Sequence, residues 1–184
     1  MKIFNIIELI FAFIVTTILL IVILFKYYNE KINNLKYKLD NSEDDYIDKM
    51  KEKHNIIVKL IELVQNKYKI NIKIFDEVKE MDINEISNID DSLLDKCYSE
   101  ILQIKEDNQK TRELKSFREL IDKFEDMETY VVALRTFYNK YVLEYNNMIK
   151  KFPYNIISKF EKLNLQTILE GKELVVNLQN DLEV

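Results

Sequence analysis

Two side chains of types that often carry chemistry, His54 and Cys97, each occur once in the chain. A di-iron site in a helical bundle needs Glu-x-x-His pairs on two helices, whereas Lys51 stands three residues before His54. The sequence therefore favours a packed or half-exposed His54 on a helix flank over a metal ligand. Cys97 lies on an apolar stripe with acidic neighbours, which raise a thiol pKa and disfavour a nucleophile.

The acidic segment that contains Asp82, Asn84, Asp90 and Asp91 invites comparison with a calcium loop. It lacks the glycine at the sixth position of an EF-hand loop, and Ile86 occupies the fifth. We therefore expect a solvated acidic loop. A single glycine in 184 residues also excludes a glycine-rich phosphate loop. The sequence predicts no catalytic residue, no cofactor, no metal site and no small-molecule substrate.

Charge is balanced along the chain rather than concentrated. The net charge is -5, and lysines alternate with acidic residues throughout. A nucleic-acid interface would require a basic stripe, which this pattern does not provide. No nucleic-acid partner is expected.

The amino-terminal segment is apolar over the length that a membrane-spanning helix requires. Residues 9–25 carry no charge, and Ile3, Phe4, Ile6 and Ile7 extend the run outward. A bilayer core about 30 Å thick requires roughly 20 helical residues, which residues 3–25 supply. Thr16 and Thr17 are expected to bond to carbonyls of the preceding turn. We predict a membrane-spanning anchor.

The residues that flank this segment distinguish an anchor from a cleaved signal peptide and orient it. A cleaved signal has a shorter apolar region followed by small residues, whereas Phe25 is followed by Lys26 and two tyrosines. Four lysines follow the span within thirteen residues, against Lys2 before it. The positive-inside rule then places the amino terminus outside and the rest of the chain in the cytoplasm. The single cysteine fits a reducing compartment.

Composition predicts an all-α fold. One glycine and one proline among 184 residues leave few sites for tight turns, and 47% of the residues are hydrophobic. We expect an anchor over residues 1–25, a juxtamembrane helical stalk over 26–41 and a cytoplasmic bundle over 42–184. Within the stalk, the 4-3-4 spacing of Tyr28, Ile32, Leu35 and Leu39 predicts one apolar helix face. The bundle is predicted to be elongated and antiparallel, with about four long helices.

The helix boundaries follow from caps and spacing. The segment Asn41–Asp45 is predicted to break the stalk, with Ser42 capping a helix that runs to about Glu80. Residues 81–92 form a loop, and Ser92 caps a shorter helix. A long helix is expected from Thr111 to Phe152, followed by a final amphipathic helix that includes Leu165 and Ile168.

The long helix carries the most regular apolar pattern in the chain. One position of the seven-residue repeat and the position three residues later are apolar or aromatic, and together they form an apolar face along the helix, which we call the seam. Three further apolar residues widen this seam. A seam of this width favours a bundle over a two-stranded coiled coil. These rows are Phe117, Phe124, Val131, Tyr138, Tyr145 and Phe152; Leu120, Met127, Leu134, Tyr141 and Met148; and Ile121, Val142 and Ile149.

The end of this helix contains a spaced motif. Arg135 is followed by Tyr138-Asn139, the pair recurs as Tyr145-Asn146, and Phe152-Pro153 comes seven residues after that. Pro153 should stop or kink the helix and is suited to the first position of the next. The motif resembles that of the LemA family of bacterial membrane-anchored helical proteins. This resemblance covers residues 113–158 and implies no established reaction.

Asn139 and Asn146 allow three interpretations. In the first, they lie at the edge of the apolar face, solvated or bonded to the backbone of a neighbouring helix. In the second, they form an interhelical hydrogen-bonded pair that fixes the register, and in the third they bind a partner. Tyr138, Tyr141 and Tyr145 are expected to fill the core with their hydroxyls at its rim.

The sequence supports two classes of function above a third. The first is a non-enzymatic, membrane-tethered interaction or scaffold module of LemA type, with an unknown protein partner. The second is a membrane-anchored coiled coil that spaces or polymerises an assembly, as division proteins do, and self-association stays open. The third, an enzyme with an unrecognised helical site, rests on no feature of the sequence.

Overall fold

In the computed structural model, residues 2–83, 89–108 and 115–171 are described, with side chains from Ile6 onward. This part of the chain contains five helices and no strand. They are α1 (Lys2–Tyr68), α2 (Lys73–Glu80), α3 (Asp91–Asp107), α4 (Lys115–Lys150) and α5 (Tyr154–Phe160). Helices α1 and α4 pack in an antiparallel manner. The all-α prediction is confirmed.

Helix α1 is continuous through the predicted break at Asn41–Asp45, so the prediction of a separate helix there is wrong. This segment contains neither glycine nor proline, and each of its residues destabilises a helix by less than about 0.7 kcal/mol relative to alanine. Leu39 before this segment, Ser42 within it and Tyr46 after it are buried at helical spacing. Packing along one face therefore keeps the helix intact.

The same helix ends twelve residues before the predicted end at Glu80. Lys69 adopts a left-handed conformation with φ 59°, and its amide donates to the carbonyl of Gln65 at 3.0 Å. A left-handed residue other than glycine carries a steric cost, so sequence gives little warning of such an end. Helix α2 then starts anew at Lys73.

The first of two compact units comprises Met1–Asp40 and Lys140–Ile168. Its apolar residues on α1, predicted from the stalk spacing, are buried together with residues from the end of α4 and from α5. Thr16 and Thr17 donate to the carbonyl of Phe13 at 2.9 and 2.8 Å, which confirms the predicted bonds to the preceding turn. The buried residues of this unit are Ile32, Leu35, Leu39, Val142, Tyr145, Ile149 and Ile157.

The second unit comprises Asn41–Asn139 and Leu169–Val184 and contains the larger apolar core. Met50, Ile57 and Val64 of α1 form one wall, and the α4 row from Phe117 to Val131 forms another. Helix α2 packs on α3 and adds Phe75 and Val78. The predicted α4 rows are confirmed up to Tyr145: the first row is buried and the second partly buried.

The chain after α5 departs from the predicted final helix. Lys162 is left-handed at φ 53°, and the amide of Leu163 donates to the carbonyl of Ser158 at 2.8 Å, which closes α5. Residues 163–170 have no helical or strand structure. The predicted helix through Leu165 and Ile168 is therefore wrong, and its remaining residues, from 172 onward, lie outside the described part.

Candidate functional site

The strongest candidate site is a buried cluster of charges in the second unit. Lys53 of α1 is fully buried, and its ammonium nitrogen lies 2.5 Å from Asp91 Oδ1 and 3.0 Å from Asp95 Oδ1. The same nitrogen donates to Glu128 Oε2. Two carboxylates come from α3 and one from α4, so a single cation joins three helices. We call these residues and Arg135 the charge cluster.

Arg135 extends the cluster along α4. Its guanidinium is buried and donates to Asp91 Oδ2, so the two oxygens of Asp91 serve two different cations. The ring of Tyr46 lies 5.9 Å from the guanidinium carbon. Gly171 passes close by: a Cβ atom there would come 2.5 Å from Arg135 Nη1, and the glycine has φ 137°. Only glycine suits this approach.

The sequence places these charges on rows that are otherwise apolar. Lys53 comes three residues after buried Met50 and four before buried Ile57. Glu128 and Arg135 each follow a buried residue of the first α4 row by four positions. A charged residue at a core position must be paired, because an isolated buried charge is costly. This signal was present in the sequence, and reasoning from motifs missed Lys53 and Glu128.

The start of α3 fixes the position of Asp91. Asp90 is the N-cap, and its carboxylate accepts from the Leu93 amide at 3.1 Å and from the Ser92 hydroxyl at 2.7 Å. These bonds, with that of Ser92 the larger influence, hold the pKa of Asp90 below its usual value. The predicted Ser92 cap is therefore wrong, since Asp90 performs this role.

The acidic segment thus divides into parts of different character. Asp82 is exposed, Asn84 lies outside the described residues, and Asp91 belongs to α3, where its side chain is largely buried against two cations. The expectation of a solvated acidic loop is wrong for Asp91. The sequence alone does not show that the distant cations Lys53 and Arg135 pair with Asp91.

Opposite charges control the protonation of the cluster. Burial by itself would lower the pKa of Lys53, but Asp91 and Glu128 outweigh it and raise that pKa. Burial likewise opposes the charge of Arg135, and Tyr46 and Asp91 raise its pKa. Both side chains are therefore cations at neutral pH.

The three carboxylates have a geometry that could also hold a metal ion. One oxygen from each of Asp91, Asp95 and Glu128 lies within 4.8 Å of the others. In this structure the Lys53 ammonium donates to all three residues. The arrangement is a lysine-centred ion cluster, whose direct effect is to hold α1, α3 and α4 together.

The two motif asparagines bind the chain that follows α5. In the second unit, Asn139 Nδ2 donates to the Leu169 carbonyl at 2.9 Å, and Asn139 Oδ1 accepts from the Leu169 amide at 2.8 Å. In the first unit, Asn146 makes the same pair of bonds to Gln166, at 2.7 and 2.9 Å. Each side-chain amide thus bonds to the backbone N–H and C=O of one residue, as the backbone of a neighbouring β-strand would do. Both asparagines bond to backbone, as one interpretation expects, but the prediction that this backbone belongs to a neighbouring helix is wrong, because residues 163–170 are not helical.

The remaining motif residues fall into two groups. Tyr138 and Tyr145 are buried, in agreement with their predicted packing. Phe152 is 78% exposed, so its predicted place in the buried row is wrong. Helix α4 ends at Lys150, and Pro153 is the N-cap of α5, which confirms the predicted stop. The row cannot continue once the helix has ended.

His54 and Cys97 take no part in the ion pairs of the charge cluster. His54 is buried, and its Nε2 lies 2.7 Å from the Val78 carbonyl, where it serves as a donor that links α1 to α2. Cys97 is fully buried on α3. Burial, with a smaller effect of Glu100, raises the pKa of its thiol to about 12. The packed histidine agrees with the interpretation preferred for His54, and Cys97 lies on the apolar stripe as expected.

One helix in the described part is long and apolar enough to cross a membrane, judged by length and composition. It is the amino-terminal helix, with a mean hydropathy of 3.0 over its most apolar window. The large apolar side chains of residues 6–24 are all exposed. A soluble core helix would bury such side chains, so the exposure supports an anchor.

Comparison with family models finds one match, described as the LemA family, over residues 43–179. The chain belongs to the LemA family. The matched part contains the whole charge cluster and both asparagine pairings, whereas the apolar segment precedes it. A comparison with curated proteins finds no match to the sequence. The LemA assignment made from the spaced motif is therefore confirmed, and it brings no established activity.

Proposed function

We propose that this LemA protein is a membrane-tethered, non-enzymatic interaction or scaffold module whose helical part lies in the cytoplasm. The observation that carries the proposal is the continuity of α1. The helix that holds the exposed apolar segment enters the core of the LemA domain without a break, where Met50, Ile57 and Val64 are buried. The anchor and the domain therefore share one helix rather than a flexible linker.

Tethering itself supplies the mechanism. A domain confined to a membrane surface meets other surface-bound proteins at a raised effective concentration, so weak contacts become sufficient. The LemA domain offers exposed helix faces on α4, for example at Tyr130, Phe137 and Leu143. Such side chains are suited to partner contacts that depend on proximity.

The character of the charge cluster supports a role in architecture rather than chemistry. Lys53, Arg135 and their carboxylates bond to one another and hold three helices. A general acid or base must reach a substrate proton, and the pKa of a catalytic group is usually tuned toward the working pH. The pKa values of Lys53 and Arg135 are instead raised, away from neutrality.

The distribution of lysines supports the cytoplasmic orientation. Lys26, Lys31, Lys36 and Lys38 follow the apolar segment, whereas Lys2 alone precedes it. Positive charges near a span are retained on the cytoplasmic side.

The width of the α4 seam bears on the alternative, a polymerising coiled coil. Ile121, Val142 and Ile149 are buried beside the first row, which is wider than the two positions of a two-stranded rod. This favours a bundle, so the interaction module is the stronger proposal.

Proximity labelling in the native cell tests the proposal with three forms of the protein. The first is the full chain, the second carries an unrelated membrane helix in place of residues 1–25, and the third lacks those residues. Tethering predicts a shared set of labelled neighbours for the first two forms and loss of that set for the third. An unchanged set in the third form would contradict a role for the anchor.

A further inference from the structure

A short stretch of the first unit presents its apolar side to the outside. Phe152, Ile156 and Phe160 follow one another at four-residue intervals and are 78%, 56% and 74% exposed. The opposite side of α5 is attached to the unit: Ile157 is 3% exposed, and the Ser158 hydroxyl donates to the Ile149 carbonyl at 3.1 Å. Helix α5 is thus fixed in an orientation that leaves an apolar face without protein cover in the described part of the chain. We call Phe152, Ile156 and Phe160 the outer face.

This outer face lies beside the end of the apolar segment of α1. The ring of Phe160 meets Phe25 edge to face with centroids 5.7 Å apart, and Tyr154 meets Tyr28 in the same way at 5.1 Å. Phe25 is the last residue of the uncharged run. When that run spans a bilayer, Phe160 must lie at the boundary between the acyl chains and the headgroups.

The charges around the outer face suit a lipid surface. Lys151, Lys159 and Lys162 are exposed, and Glu161 is the only acid between residues 151 and 162. Aromatic side chains and lysines together are characteristic of segments that lie in a membrane interface.

We infer that residues 152–160 form a second membrane contact, in which the outer face enters the interfacial layer of the same bilayer that holds the anchor. This inference rests on the proposed anchor and goes beyond it, because the anchor alone requires no contribution from residues 152–160. Its consequence is a two-point attachment. Phe25 and Phe160 come from parts of the chain 135 residues apart, so the membrane would fix the orientation of the first unit as well as its location.

Tryptophan fluorescence tests the inference, because the chain contains no tryptophan. The full-length protein is reconstituted into vesicles of phosphatidylcholine and phosphatidylglycerol without bromine, with bromine atoms near the top of the acyl chains, or with bromine atoms near the chain ends, which lie at the depth expected for Phe13. Three variants are compared. Phe160→Trp reports on the outer face, and Phe13→Trp reports on the anchor. Tyr37→Trp is the matched control: it is an exposed aromatic in the same unit, twelve residues and about 18 Å of helix beyond Phe25.

Insertion predicts that bromolipids quench Phe160→Trp strongly and Tyr37→Trp weakly, with blue-shifted emission for Phe160→Trp. If Phe13→Trp is quenched while Phe160→Trp behaves like Tyr37→Trp, the second contact is overturned and the anchor stands. If Phe13→Trp is also unquenched, both fall. Blue-shifted emission of Phe160→Trp without quenching would show that a second protein copy covers the face, which also overturns the inference.

Discussion

The side chain of Asn139 pairs with both polar backbone atoms of Leu169, thirty residues later in the chain, with N···O distances of 2.8 and 2.9 Å. Asn146 repeats this with Gln166. Seven helical residues advance about 10.5 Å, and three extended residues advance about 10 Å. The spacing of the two asparagines on α4 therefore matches the spacing of the two residues that they bind. In each Tyr-Asn pair, the tyrosine packs in the apolar core and the asparagine that follows binds the backbone of the segment after α5.

Each asparagine should protect one specific amide. In Asn139→Ala, we expect faster hydrogen exchange at the Leu169 amide, and in Asn146→Ala at the Gln166 amide, because each loses its side-chain acceptor. Each lost bond should also cost about 1 kcal/mol of the free energy of unfolding. Exchange measured by mass spectrometry on the detergent-solubilised protein checks both effects.

The exposed neighbour Asn147 offers the matched control for these variants. Asn147→Ala should leave the exchange of both amides unchanged. Equal protection at Leu169 in Asn139→Ala and in the unmodified protein would show that other contacts hold this segment.

Replacement of Lys53 should destabilise the second unit more than any other lysine substitution on α1. Lys53→Met leaves Asp91, Asp95 and Glu128 without their central cation, and the loss of one partner from a buried ion pair typically costs about 3–5 kcal/mol. Urea unfolding followed by circular dichroism measures the change. Adding Glu128→Gln to Lys53→Met should restore part of the loss, because it removes one of the stranded negative charges.

Lys49→Met is the control for this series. Lys49 lies one helical turn before Lys53 and pairs with Glu52 at 2.8 Å, but both side chains are exposed. Water screens such a pair, so its removal should change stability much less. Similar losses in Lys49→Met and Lys53→Met would mean that the charge cluster contributes little.

The charge cluster should also set the alkaline limit of stability. Asp91 and Glu128 raise the pKa of Lys53 above its ordinary value of 10.5 despite its burial. The contribution of this cation is fully present below 10.5 and is lost as the pH rises through the raised pKa of the folded state. Burial raises the pKa of Tyr46, which adds a loss of the same sign.

Unfolding free energies measured from neutral to strongly alkaline pH check this expectation. We expect a plateau followed by a fall above the ordinary lysine pKa, with a shallower fall in Lys53→Met because that variant has no ammonium to lose. Parallel curves for the two proteins would contradict the assigned role of Lys53.

Parts of this fold that depend on repeated apolar spacing could be predicted from sequence, and parts that depend on single residues could not. The first α4 row as far as Tyr145 and the stalk residues Ile32 and Leu35 follow from spacing and are buried as expected. The ends at Lys69 and Lys162 depend on left-handed lysines, which resemble any other lysine in the sequence. Helix continuity through Asn41–Asp45 depends on packing that overrides weak local preferences.

The candidate site shows the same division. Arg135 belongs to the motif that resembles the LemA family, but its partner Asp91 lies 44 residues away, and no local pattern connects them. The outer face is another case. Phe152 continues a heptad row in the sequence, but α4 ends before this residue, and its side chain is exposed instead of buried in the core.

The most direct test of a tethered cytoplasmic domain is labelling of an introduced cysteine with a maleimide that does not cross the cytoplasmic membrane. Tyr130→Cys places a thiol at an exposed site on α4. Native Cys97 is the internal control, since burial raises its thiol pKa to about 12 and the side chain is inaccessible until the protein is denatured. We predict that membrane-bound Tyr130→Cys is labelled only after the cells are permeabilised. Labelling in sealed cells, or recovery of the protein in the soluble fraction, would contradict the account.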